Sequence, residues 1–238
     1  MYAHSHLIAA SAPRMPAFAI GSPFENRSEV WLASLASPQR IEPGKLLFCE
    51  GDDAENVYEI AQGILTLYKL LPDGRRQITG FVSTGNVVGW SNAHVYLYGA
   101  EAITEVRLRR YRRAQFDRMI DEVPGFARRI LAAHSGELRA AQDQILLLGR
   151  KSATERVASF LMTMIELNGG DDVSSAVHIS MRRSDIADYL GLTIETVSRT
   201  LTKLKRDGII AIPTSDDIRL KNRDRLRELA AGELAESL

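Results

Sequence analysis

The rhythm of apolar and polar positions changes along this chain, and each change marks a segment. Residues 1–27 show no periodicity. Their opening run, MYAHSHLIAASAPRMPAF, is small, polar and broken by prolines, which predicts a disordered leader. Residues 28–36 (SEVWLASLA) predict one short helix with Val30, Trp31 and Leu35 as its apolar contacts. From Gln39 to about Tyr111 the pattern is that of short strands: KLLFCE, VYEIA, ILTLYKL, RQITGFV and EAITEVRLRRY. They are punctuated by Pro43-Gly44, Gly51-Asp52, Gly63, Asp73-Gly74, Gly85-Asn86 and Gly89. Asp73-Gly74 between two strand-like runs is a hairpin signal, because both residues tolerate the positive φ of a tight turn. Strands at this even spacing predict a small sandwich, barrel or roll.

Near Arg112 the period turns helical. RAQFDRMI predicts a short helix that stops before Pro124, and a long helix follows over 124–149. Within it Leu131, His134, Leu138, Ala141, Ile145 and Leu148 alternate at spacings of three and four, a heptad seam of the kind that pairs two helices. A helix lying on its own domain needs a wider apolar stripe. The seam therefore predicts a homodimer with these residues at its interface. His134 inside the seam reads either as a pH-sensitive group or as a tolerated interface histidine.

Beyond Gly149 a second module begins. Ser152 with Glu155 forms a capping-box pattern, and Val157, Phe160, Leu161, Met164 and Ile165 give the helix its apolar face. Asn168-Gly169-Gly170 ends it, and a short strand is expected over 177–181. The stretch RRSDIADYLGLTIETVSRTLTKLKRDGII then reads as a helix-turn-helix. Ser184 is the expected cap of a first helix with Ile186, Ala187 and Leu190 inward, and Gly191 supplies the turn. Thr193 caps the second helix, in which Val197, Leu201 and Leu204 face inward. Glu195, Thr196, Ser198, Arg199, Thr202 and Lys203 are left outside. Arginine pairs bidentately with guanine, glutamate accepts from cytosine N4, and serine takes either role, so this face suits a major groove. Lys203, Lys205 and Arg206 suit phosphates. Asp207-Gly208, IIAI, a turn over 214–217 and IRL complete a β-hairpin wing. The alternative, a helical hairpin with a solvated charged face, does not account for that order of elements.

Composition adjusts this picture only slightly. The 238 residues suit two compact domains, and no apolar run approaches the roughly 20 residues that span a bilayer. With no signal-peptide pattern, a cytoplasmic protein is expected. Thirty basic and thirty acidic residues cancel, so any attraction to DNA must be local. The single cysteine, Cys49, excludes an internal disulfide, and its neighbourhood, LLFCEGDD, predicts a quiet half-buried thiol.

With those residues in view, the chain resembles the CRP/FNR family of bacterial regulators from residue 28 to about 229. The specific match is IETVSR, in which Glu195, Ser198 and Arg199 are similar to the E-x-x-S-R arrangement of the FNR/FixK branch. The cAMP-binding branch usually carries arginine where Ile194 stands and glycine at the Ser198 position. The resemblance implies an α+β fold: a cyclic-nucleotide-binding-type β-roll over 28–123, a dimerisation helix over 124–149, a winged helix-turn-helix over 150–229 and a tail over 230–238. It further implies a palindromic double-stranded DNA operator with TTG-type half-sites. There Arg199 would read guanine, Glu195 the paired cytosine and Ser198 a thymine, with Thr193, Ile194, Thr196, Thr202, Lys203, Lys205 and Arg206 on the backbone or in support. Activation through an exposed β-roll surface that touches RNA polymerase follows from the same resemblance.

The family does not fix the ligand, so the residues must. A cAMP pocket needs a G-E-x-x-L cassette followed by R-S or R-T. Here Gly89-Trp90-Ser91-Asn92-Ala93 and then YLYGAEAIT replace it, and no arginine lies between Arg76 and Arg107. A buried phosphate without a cation is costly. An iron–sulfur cluster needs more thiolates than Cys49, and His4 with His6 lacks a third metal ligand. The expectation is a FixK-like regulator with no bound cofactor. The alternative is a ligand-gated regulator whose β-roll holds a small molecule between Trp90, Tyr96 and Tyr98, or a haem at His94 or His134. An enzyme is not expected, because the clustered histidines of a cupin, phosphate loops and nucleophile elbows are missing.

Overall fold

The computed structural model describes residues 35–123, 125–167, 176–178, 181–214 and 217–232; for 166–167, 176–178 and 217 it describes the backbone alone. The leader, most of the helix expected over 28–36 and the stop over 168–170 lie outside the described residues.

Alternation of buried and exposed side chains builds two antiparallel sheets. One has the order β1 (Ser37–Ile41), β8 (Val106–Arg112), β3 (Asn56–Gln62), β6 (Val87–Val88). The other has the order β2 (Leu46–Phe48), β7 (Gly99–Ala102), β4 (Leu65–Leu70), β5 (Arg76–Val82). They close as a β-roll over Phe48, Ile60, Leu65, Tyr96, Val106 and Leu108. The expected hairpin at Asp73-Gly74 joins β4 to β5, with Gly74 at φ +83° and Asp73 Oδ1 accepting from the Arg75 N–H at 3.1 Å.

One expectation fails here. EAITEVRLRRY, read as a single strand, is two strands, β7 and β8, which belong to different sheets. The chain must cross between sheets at 103–105, where Gly63 approaches so closely that a Cβ would lie 2.3 Å from the Glu105 carbonyl oxygen. Thr104 Oγ1 accepts from the Ile64 N–H (3.0 Å), and the Ile103 N–H donates to the Ile64 carbonyl (3.0 Å). Those bonds come from a segment 40 residues away, so the local pattern carries no sign of the break. The strand region also starts earlier than Gln39, because Ser37 pairs with Arg110 of β8.

Helices α1 (Arg113–Glu122) and α2 (Phe126–Arg150) follow as expected. Phe116, Met119, Phe126 and Ile130 are buried with Val57 and Tyr111, the Phe116 and Phe126 rings meeting edge-on at 5.3 Å. Each such burial is worth about 1.5–3 kcal/mol, enough to fix α2 against the β-roll.

The last domain comprises α3 (Ala153–Leu167), β9 (Ala176–His178), α4 (Arg183–Leu190), α5 (Ile194–Arg206), β10 (Ile210–Ala211), β11 (Asp217–Leu220) and α6 (Arg223–Ala231). The capping box is present: the Ser152 N–H donates to Glu155 Oε2 (3.0 Å) and the Glu155 N–H to Ser152 Oγ (3.4 Å). Val157, Phe160, Leu161, Met164 and Ile165 are all buried, as their spacing requires. Helix α6 was not foreseen from the sequence. Asn222 Oδ1 caps it by accepting from the Arg225 N–H (3.0 Å), and Leu226 and Ala230 are buried, as α6 packs against α3. Lys151 Nζ closes its far end on the Ala230 carbonyl (2.8 Å), where burial pushes the amine below its ordinary pKa.

Candidate nucleic-acid interface

Helix α4 starts two residues earlier than a Ser184 cap would allow. Arg182 stands at the N-cap, and its backbone N–H donates to Asp185 Oδ2 (3.1 Å), so the buried Asp185 carboxylate closes the helix from inside. Ile186, Ala187 and Leu190 are buried as expected, and Tyr189 with them. Gly191 takes φ +60°, the left-handed conformation that ends α4. A Cβ there would come within 3.4 Å of Leu148.

Thr193 caps α5: its Oγ1 accepts from the Thr196 N–H at 3.2 Å. Val197, Leu201 and Leu204 are buried, together with Thr200, whose hydroxyl is absorbed by the Thr196 carbonyl (2.8 Å). The opposite face turns to solvent. Glu195, Ser198, Arg199, Thr202, Lys205 and Arg206 are exposed, and Thr196 and Lys203 half-exposed. Ile194 adds an apolar side chain that is 47% exposed at the helix start. The Glu195 carboxyl is held below its ordinary pKa by its own backbone N–H, then by the Thr193 hydroxyl and by Arg199. It is therefore ionised at neutral pH and can only accept hydrogen bonds. Arg199 touches its own chain lightly, at Thr196 Oγ1 (3.5 Å), which leaves the guanidinium fork available. Arg206 lies 3.4 Å from Asp207. In the wing, β10, β11 and β9 form a three-stranded antiparallel sheet, and Arg219 is exposed between buried Ile218 and Leu220. Sequence reasoning did not single out Arg219; strand alternation around it was the available signal.

Along α2 the seam residues part company. Leu131, Leu138 and Ile145 are 68%, 62% and 69% exposed, a set of large apolar side chains on the outer face of α2. Ala141 is exposed with them. His134 instead lies beside Trp90, ring centroids 5.2 Å apart, and its Nδ1 is 2.9 Å from Glu137 Oε2, which raises its pKa. Leu148 packs on the core shared with α4.

In the β-roll the aromatic residues considered for a ligand pocket are engaged with the protein. Trp90 Nε1 donates to Asp117 Oδ1 (2.9 Å), Tyr96 hydroxyl donates to the Asn56 carbonyl (2.9 Å), and Tyr98 hydroxyl accepts from the Gly89 N–H (3.1 Å). Tyr96 stacks on Phe48 at 3.8 Å. Cys49 is exposed, not half-buried: its N–H donates to Asp52 Oδ2 (2.9 Å), and the turn this forms carries the thiol outward. Among the described residues no group of three or more His, Cys, Asp or Glu is placed to hold a metal. No helix there is long and apolar enough to cross a membrane.

Two family models match the chain, a cyclic nucleotide-binding domain over residues 38–123 and a Crp-like helix-turn-helix domain over 155–229. The chain is 42% identical over 200 residues to the nitrogen fixation regulation protein FixK of Azorhizobium caulinodans, covering 83% of this chain and 81% of that one. It is 44% identical to the transcriptional activatory protein AadR of Rhodopseudomonas palustris over 201 residues, 83% of this chain and 82% of that one. Its fold is similar to FixK2 from Bradyrhizobium japonicum at 40% identity and a TM-score of 0.75, covering 82% and 96% of the two chains.

Proposed function

This chain belongs to the CRP/FNR family of DNA-binding transcription regulators, and on that footing we propose that it is a FixK-like activator acting as a homodimer without a bound cofactor. The observation that carries the proposal is the outward face of α5, where Glu195, Ser198 and Arg199 are exposed together over a buried Val197–Leu201–Leu204 spine. Arg199 reads guanine, Glu195 its paired cytosine and Ser198 a neighbouring thymine of a TTG-type half-site. Lys203, Lys205 and Arg206 meet phosphates, and Thr193, Ile194, Thr196 and Thr202 shape or support the contact. Two chains pair along Leu131, Leu138, Ala141 and Ile145, with His134 and Leu148 at the margins of the seam. Two-fold pairing then matches a palindrome.

The cofactor-free mode is supported by the aromatic packing between Gly89 and Gly99, where the polar tips of Trp90, Tyr96 and Tyr98 already have protein partners. Arg76, the nearest preceding arginine in sequence, is committed to carboxylates elsewhere. Activity in the cytoplasm, through contact with RNA polymerase, accords with relatives named as activators. A regulator is also what distinguishes this family from an enzyme. A binding-site selection with purified, untreated protein tests the reading, with a palindrome of TTG half-sites as the expected outcome. Selection that succeeds only after a small molecule is added would favour the ligand-gated alternative.

A further inference from the structure

Arg76 begins β5, yet much of its bonding lies in the other domain. Its Nη2 contacts Asp185 Oδ1 of α4, its Nε donates to Asp188 Oδ2 at 3.1 Å, and its Nη1 donates to Glu101 Oε2 of β7 at 2.8 Å. The guanidinium lies 5.5 Å from the centre of the Tyr68 ring, and the side chain is 19% exposed. Its neighbour Gln77 donates from Nε2 to the Asp188 carbonyl (2.6 Å), while Gln144 of α2 donates to the Tyr189 carbonyl (2.7 Å). Below these bonds Phe81 of β5 packs on Tyr189 with ring centroids 4.8 Å apart.

Helix α4 is thus held from two sides, by the β4–β5 hairpin and by α2, and the reading face of α5 stays outside the contact. Major-groove recognition by a dimer requires its two reading helices to be about 34–36 Å apart, one turn of DNA. In a dimer paired along α2, that separation depends on how α4 is seated. A planar guanidinium fixed on carboxylates of both domains resists both sliding and rotation, because its fork geometry is rigid.

We propose that Arg76 is a positioning residue for DNA binding, holding α4 to the β-roll so that the two recognition helices of a dimer keep the spacing of one operator. This rests on the homodimer reading above. The test uses full-length wild type, Arg76→Met and Arg76→Lys, with dimer state checked by light scattering. Affinity is measured by fluorescence anisotropy for a palindrome with TTG half-sites and for copies with one or two base pairs inserted at its centre. Arg76→Met should bind the unaltered palindrome about tenfold more weakly. It should lose little further on the lengthened copies, so that discrimination by spacing narrows, with Arg76→Lys in between. A purely structural role would lower the melting temperature and leave spacing discrimination unchanged. Unchanged discrimination in Arg76→Met, or in Arg76→Lys should the former not fold, would overturn the proposal. Tighter binding by either variant would overturn it too, since the contact would then restrain the domain from DNA. Wild type that binds no spacing at all would refute the DNA-binding dimer, and the positioning role with it.

Discussion

The β-roll and the helix-turn-helix face opposite ways in the use of their polar and aromatic side chains. In the β-roll, Trp90, Tyr96 and Tyr98 point their polar tips at Asp117, Asn56 and Gly89 of the same chain. On α5, Glu195, Ser198 and Arg199 are exposed, and the nearest partner of Arg199 is 3.5 Å away. One domain has satisfied its groups internally, and the other has left them to a partner. Membership of one family therefore predicts the fold of both domains and the function of only one. In the β-roll the residues themselves, not the fold, decide whether a nucleotide could be held.

The contrast can be broken most severely between the two domains, on α2. If two chains pair along α2 as proposed, Leu138→Glu would place unpaired charge in that seam at a cost of several kcal/mol per chain. Light scattering should report a monomer, and operator binding should vanish while the circular dichroism of the helices is kept. A dimeric variant would remove Leu138 from the interface.

Within the β-roll, Tyr96→Ala removes a ring that is 5% exposed and stacked on Phe48. The expected loss is about 3–5 kcal/mol of stability by denaturant unfolding, in line with other buried aromatic truncations. Base preference of the folded fraction should not change. A variant as stable as wild type would mean that this interior is open to a ligand after all.

On α5 the same kind of truncation should act in reverse. Arg199→Ala should leave the melting temperature nearly untouched and cost about 1–3 kcal/mol per half-site in operator affinity, with discrimination relaxed at the guanine. Competition between the palindrome and a guanine-substituted copy measures it. Retained preference for guanine would place the recognition helix differently.

Lys205→Ala should have the smallest effect. Affinity should drop for all sequences alike, and the slope of log affinity against log salt should flatten by about one unit per lost phosphate contact. A sequence-dependent loss would make Lys205 a base reader.

Much of the DNA-binding half was legible in advance because its signals are local. The capping of α5 by Thr193, the turn at Gly191 and the inward Val197, Leu201 and Leu204 each depend on residues within a few positions of one another. The outward set of α5 followed from the 3.6-residue period alone. Where local chemistry misled, a neighbour in sequence competed: Ser184 has the better capping side chain, but the Asp185 carboxylate takes the Arg182 N–H. Helix α6 escaped notice because its polar surface is large and its buried side, Leu226 and Ala230, is narrow.

The sequence by itself determined the order of elements, the β-roll followed by a helix-turn-helix, the composition of the outward face of α5 and the absence of a cyclic-nucleotide cassette. Periodicity, turn residues and caps act over short stretches of chain, and those stretches can be read one at a time. Only the tertiary structure decided that residues 99–112 divide between two sheets, that Leu148 turns to its own core and that Cys49 faces solvent. It alone brought Arg76 to Asp185, 109 residues away, and Gln77 to the Tyr189 carbonyl. Contacts of that range arise when whole elements pack, since burial is shared among residues whose positions in sequence carry no common period.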